Sequence, residues 1–171
     1  MKAFFAVALG LAISCCAYIT CEAASVAELK AVVEGVYILD EWHNDGKIFR
    51  PPQVEARTVL MNGSIVYLSV NKMEDANQIT SANFGVYTLQ ADSFGYRYDN
   101  RSVFTQTPNN ITVTHAPAWE GMRNFSVTQE GDSVRFQSRS ADQAEFLFMP
   151  GGLRYSEGGK VLRIYHRTKS E

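Results

Sequence analysis

Two periodicities divide the chain, a short helical one before Gly35 and a strand-like one after it. Ahead of the glycine, Leu29, Val32 and Val33 fall on one helical face. Ser25 stands three residues before Glu28, the spacing at which a serine hydroxyl and a glutamate carboxylate cap each other's backbone amides. This predicts a helix from Val26 to Glu34, ended by Gly35. Beyond it, apolar and polar residues alternate and do not return to helical spacing. The alternation predicts strands over Gly35 to His43, Val54 to Asn62, Ser64 to Asn71, Phe84 to Gln90, Phe94 to Arg101, Ile111 to His115, Arg123 to Gln129, Ser133 to Arg139, Ala144 to Met149 and Lys160 to Arg167. Turn sequences stand between them, among them Asn44-Asp45-Gly46, Asn62-Gly63, Glu130-Gly131-Asp132 and Glu157-Gly158-Gly159, whose Asn, Asp and Gly residues suit the positive φ of hairpin turns. Short strands joined by hairpins, with no interleaved helices, predict an all-β fold: an up-and-down antiparallel β-barrel of about eight to ten strands with a short N-terminal helix. The helix is expected to plug the open end or lie across the first strand. Lys72 to Ala82 interrupts the alternation, is polar, and is expected to form a loop or helical turn over the barrel mouth.

The chain before this pattern has another character. Lys2 precedes an unbroken apolar and glycine run from Ala3 to Ile13, too short for a stable membrane span, and Cys21-Glu22-Ala23 offers the small residues a signal peptidase reads. Residues 1–23 are therefore expected to be a signal peptide ahead of a barrel domain over 24–171, and the protein to be periplasmic or secreted. A lipoprotein anchored through Cys15 is the alternative. All three cysteines, Cys15, Cys16 and Cys21, lie in the leader, which leaves the mature domain without a disulfide or a thiolate metal site. Its 148 of the 171 residues are enough to bury roughly two thirds of the unfolded surface around a core of its own. A formal net charge of −2 with interspersed signs supplies no basic patch for nucleic acid. No transmembrane segment is expected in the mature chain. Asn-x-Ser/Thr sequons at Asn62, Asn100, Asn110 and Asn124 would carry glycans in an exported eukaryotic chain.

Three stretches carry a resemblance. Gly35-Val36-Tyr37 with Leu39 resembles the glycine-x-tryptophan opening of the calycins, with tyrosine in the tryptophan's place. Phe84-Gly85-Val86-Tyr87-Thr88-Leu89 followed by Asp92 is similar to the glycine-x-tyrosine strand of the bacterial lipocalin-like domain family, and Leu162-Arg163-Ile164-Tyr165-His166-Arg167 to that family's last strand. The resemblance implies a closed barrel around an interior pocket, and no particular reaction. In a closed barrel the first and last strands are neighbours, which brings Arg167 beside Tyr37. The expected contact is a guanidinium stacked on the ring, with Gly35, Tyr37 and Arg167 as the structural residues of the closure.

In the first strand Tyr37, Leu39, Glu41 and His43 share one face, and the calycin likeness turns that face inward. Tyr67, Tyr87, Tyr96, Tyr98, Phe146 and Phe148 are expected to line a cavity, since several tyrosine hydroxyls are poorly housed in a solid apolar core. These residues predict a binding protein for a small apolar or aromatic ligand. Glu41, His43 and His115 are the candidates for chemistry, expected near the cavity rim, where a carboxylate and imidazoles could act as general acid and base or hold a metal or haem iron. No zinc-protease, nucleophile-elbow or haem-attachment motif accompanies them, so no cofactor is expected. Two further readings stand beside the carrier: an isomerase or cyclase using Glu41 and His43, and a solid barrel acting through its outer surface.

Overall fold

The structure is a computed structural model that describes residues 25–74 and 77–168. The expected leader, its three cysteines and the cleavage site lie outside the described residues. Helix α1 (Val26–Val33) starts at the expected capping box: the Glu28 amide donates to the Ser25 hydroxyl at 3.3 Å, and the Glu28 carboxylate accepts the Ser25 amide at 2.8 Å. Glu34 is already extended, so the helix stops one residue earlier than its pattern.

Twelve strands follow: β1 (Gly35–Asn44), β2 (Lys47–Phe49), β3 (Val54–Met61), β4 (Ser64–Glu74), β5 (Asn77–Leu89), β6 (Ser93–Thr107), β7 (Asn110–Ala116), β8 (Arg123–Glu130), β9 (Ser133–Ser138), β10 (Glu145–Met149), β11 (Gly152–Glu157) and β12 (Lys160–Arg167). Ten of them, all except β2 and β7, pair antiparallel with their neighbours in chain order, and β12 returns to β1 to close the ring. The fold is thus an all-β, closed up-and-down barrel with one short helix, as the alternation predicts. β2 and β7 extend β1 and the far half of β6 as hairpins outside the ring. Asp45-Gly46, Asn62-Gly63 and Gly158-Gly159 all take positive φ in their turns.

Four segments differ from the sequence reading, one of them the continuation of β6 through residues 102–107, past its expected end at Arg101. Within the expected loop or helical turn from Lys72 to Ala82, residues 72–74 belong to β4 and residues 77–82 to β5, paired antiparallel. Apart from Met73, which packs against the core, this stretch runs where neither face must be apolar, so the alternation fades while the pairing persists. β11 went unread because it has only Leu153 and Tyr155 as buried alternating hydrophobics between two glycine turns. β2 is a three-residue hairpin return, too short to show a period.

The core is aromatic and lies toward the end covered by α1. Phe136 is fully buried, with its ring stacked on Phe94 at 4.3 Å and 5.0 Å from Phe148. Phe148 meets the edge of Tyr37 at 5.6 Å. Leu29 and Val33 close this end from the helix, which packs against β9 and β10.

Tyr37 and Arg167 are register partners across the β1–β12 seam. The expected ring stacking is not what joins them. The Tyr37 hydroxyl donates to the Val33 carbonyl at 2.8 Å, and the Arg167 guanidinium donates to the carbonyls of Ala31 at 3.1 Å, Val32 at 3.2 Å and Glu34. A helix end leaves its last carbonyls without intrahelical donors, and a cation there also meets the negative end of the dipole, so the guanidinium gains more at the helix than over the ring. Gly35 makes room for it: a Cβ at that position would lie 2.7 Å from Arg167 Nε. One arginine therefore ties the last strand to the helix across the first strand.

Candidate functional site

A β-bulge in β1 decides which side chains reach the interior. Leu39 faces Tyr165, but the next pair is Glu41 with Ile164, so Asp40 is an extra residue and the alternation changes phase behind it. Tyr37 and Leu39 are buried, and after the bulge Trp42 packs against the core. Glu41 and His43 are displaced to the other face, contrary to their expected position. There the Glu41 carboxylate lies 2.9 Å from His43 Nε2 and accepts a hydrogen bond from Arg50. The hydrogen bond with His43 and then that from Arg50 hold its carboxyl below the ordinary carboxylate range. His115 lies on β7, outside the ring, with its Nδ1 2.9 Å from the Ser102 hydroxyl. None of the three lines the cavity. The structure brings Glu41 and His43 together and leaves His115 with neither. Among the described residues no three His, Cys, Asp or Glu side chains are grouped to hold a metal ion, and no helix is long and apolar enough to cross a membrane.

The barrel encloses a cavity of about 200 Å³ beyond the aromatic core. Of the six expected lining residues, Tyr67, Tyr96, Tyr98, Phe146 and Phe148 form part of its wall. Tyr87 does not: its hydroxyl donates to the Glu34 carboxylate at the end of α1, and its ring lies 5.8 Å from Phe94. Burial first, and then the bond to Glu34, push the Tyr87 phenol up to about 12. Tyr96 accepts from Arg123 at 3.4 Å, whereas the buried Tyr67 hydroxyl has no protein partner. Burial is also the leading cause that raises the Tyr37, Tyr96 and Tyr98 phenols.

These phenols give a prediction with a definite sign. The folded state keeps protons that an unfolded tyrosine releases near pH 10, so their contribution to stability is complete below about pH 10 and is lost as pH rises through the raised folded values, about 12 for Tyr87. Tyrosinate absorbance and far-ultraviolet circular dichroism followed together on raising the pH should change in one step for these groups. Their full ionisation in a barrel that keeps its dichroism would contradict the assignment.

Three arginines complete the wall, and no aspartate or glutamate does. Arg123, from the start of β8, is paired with Asp142. Arg163, on β12, lies across from Trp42 with its guanidinium 4.2 Å from that ring, and 5.8 and 5.5 Å from Tyr67 and Tyr155. Arg101, on β6, sits 5.6 Å from Trp119. Trp119 belongs to the segment between β7 and β8, its amide donating to the Tyr98 carbonyl at 3.0 Å and its ring 5.0 Å from that of Tyr98. Arg101 and Arg163 form no ion pair among the described residues, and the Nε of each is buried without a hydrogen-bond partner.

These arginines and Trp119 are absent from the sequence reading of the site. Arg163 had a readable signal, since it shares strand parity with the buried Tyr165; Trp119 had none, because it lies between strands. The four sequon asparagines are all exposed. No protein-family model, curated protein or solved structure matches the chain. The chemistry of the cavity is therefore read from its own residues.

Proposed function

We propose that the protein is an exported, lipocalin-like carrier that takes one small aromatic or apolar ligand into the barrel cavity. The observation that carries this reading is a closed barrel whose cavity of about 200 Å³ is walled by a ring-rich surface, with Tyr96 5.5 Å from Tyr98 and 5.6 Å from Trp119. Aromatic surface of this kind gains free energy when a ligand replaces water against it, and a few polar groups in the wall fix the ligand's orientation. The cavity is below the roughly 300–1,000 Å³ common for drug-sized ligands, so the ligand is of one or two rings or a short chain. The leader-like composition of residues 1–23 supports export, and the likeness of residues 84–89 and of the last strand to the bacterial lipocalin-like family supports the carrier role. The isomerase or cyclase alternative loses its acid–base pair, because Glu41 and His43 do not line the cavity.

The test is a titration of the protein with neutral aromatic probes up to naphthalene size, followed by calorimetry and by ligand-observed NMR. One probe should bind per chain, and Leu60→Trp, which fills the cavity from its wall, should abolish binding while circular dichroism still shows the barrel. If neither these probes nor a carboxylate of similar size binds, the carrier reading fails and a role through the outer surface takes its place.

A further inference from the structure

Charge in the cavity wall is one-sided. Arg123 has a carboxylate in Asp142, but Arg101 and Arg163 have none within ion-pair distance among the described residues. The other arginines that approach acids sit elsewhere: Arg135 between Glu130 and Glu145, Arg50 on Glu41, Arg97 on Asp99 and Arg154 at 3.7 Å from Glu145. Arg163 is boxed by Trp42, Tyr67 and Tyr155, and the acid that acts on it from a distance, Glu157, is itself engaged by the Tyr155 hydroxyl. Burying a guanidinium without a counter-anion is costly, and aromatic faces return only part of that cost. The neighbouring Tyr67 hydroxyl is a second buried donor without a partner. Two donors in an acid-free wall of an aromatic cavity are what a planar anion requires: the guanidinium fork takes both oxygens of a carboxylate, and the phenol can donate to one of them.

We infer that the cavity is selective for a monoanionic ligand, a small aromatic or short-chain carboxylate whose head group pairs with Arg163 beside Tyr67 while its apolar body lies against Tyr96, Tyr98 and Phe146. This rests on the carrier reading above and adds the charge of the cargo to it. Arg101, beside Trp119, adds a second positive charge without an acidic partner, so the potential along the wall favours an incoming anion.

Cinnamate and cinnamamide test it, since they share shape and ring and differ in charge. With the wild-type protein at neutral pH, calorimetry should give a dissociation constant for cinnamate at least about tenfold below that for the amide, as charge-assisted, bidentate pairing demands. In Arg163→Met the order should reverse, because a carboxylate buried without its partner is worse than a neutral amide. Arg163→Lys, which keeps the charge but not the fork, should fall between them and serves if the methionine variant does not fold. Equal binding of both by the wild type, or a cinnamate preference that survives in Arg163→Met, overturns the inference. If neither compound binds while the neutral panel does, the anion site is wrong and the carrier stands; if nothing binds, both fall.

Discussion

Phe136→Ala should destabilise the barrel by about 3–5 kcal/mol, the largest effect expected of any single truncation in the chain. The ring is fully buried, stacked on Phe94 and in contact distance of Phe148, and these two are themselves fixed by Tyr87, Tyr96, Phe125 and Tyr37. Removing it leaves a void among rings anchored to five different strands, which cannot move together to fill the space without breaking ladder hydrogen bonds. Since a domain of this size is typically stable by only about 5–15 kcal/mol, the variant should unfold at markedly lower denaturant. Equilibrium urea unfolding read by tyrosine and tryptophan fluorescence measures it. Phe136→Leu, which keeps most of the volume, should lose less than half as much. A loss below about 1.5 kcal/mol for the alanine variant would place the stabilising core elsewhere.

Arg167→Ala should cost about 2–3 kcal/mol, although the residue stands only a few positions from the end of the chain, because it removes charge-assisted donors from three helix-end carbonyls. Its signature is local as well as global. Amides of α1 should lose hydrogen-exchange protection before those of β8 and β9, because the helix is released from the seam while the opposite wall stays paired. Arg167→Lys should restore part of the stability, since an ammonium reaches these carbonyls without the planar fork. Gly35→Ala is expected to resemble the arginine deletion, as the added Cβ displaces the same guanidinium. An Arg167→Ala variant within about 0.5 kcal/mol of the wild type would reduce the seam to its backbone ladder.

How far the fold was readable follows from where burial imposes a period. The strands that face the core on one side and water on the other, such as β3 with Val54, Ala56 and Leu60 inward, announce themselves by alternation, and turns announce themselves by residues that tolerate positive φ. Where the sheet leaves the core, as in the outer halves of β4 and β5, both faces accept polar residues and the strand is invisible to the pattern although its hydrogen bonds continue. The candidate site was half legible for a related reason. Aromatic residues at strand parity pointed to the interior, and five of the six chosen lie in the cavity wall. Glu41 and His43 were placed on the wrong face because a single inserted residue in β1 cannot be recognised without its partner strand. The wall arginines were passed over because a charged residue is ordinarily assigned to water, a rule that holds only where no enclosed space competes with the solvent.

The bulge at Asp40 has a meaning beyond that misreading. It works as a dislocation in the weave of the barrel: the odd-numbered residues of β1 serve the helix-covered end, the even-numbered Trp42 serves the arginine end, and the two halves of one strand are thereby keyed to different neighbourhoods. The imidazole of His166 sits with Nδ1 2.7 Å from the Asp40 carboxylate and pins this dislocation from the outside. Shape at the cavity end can accordingly be altered through Trp42 and Arg163 without reindexing the side chains that seal the base, and a barrel built on one unbroken alternation would lack that freedom.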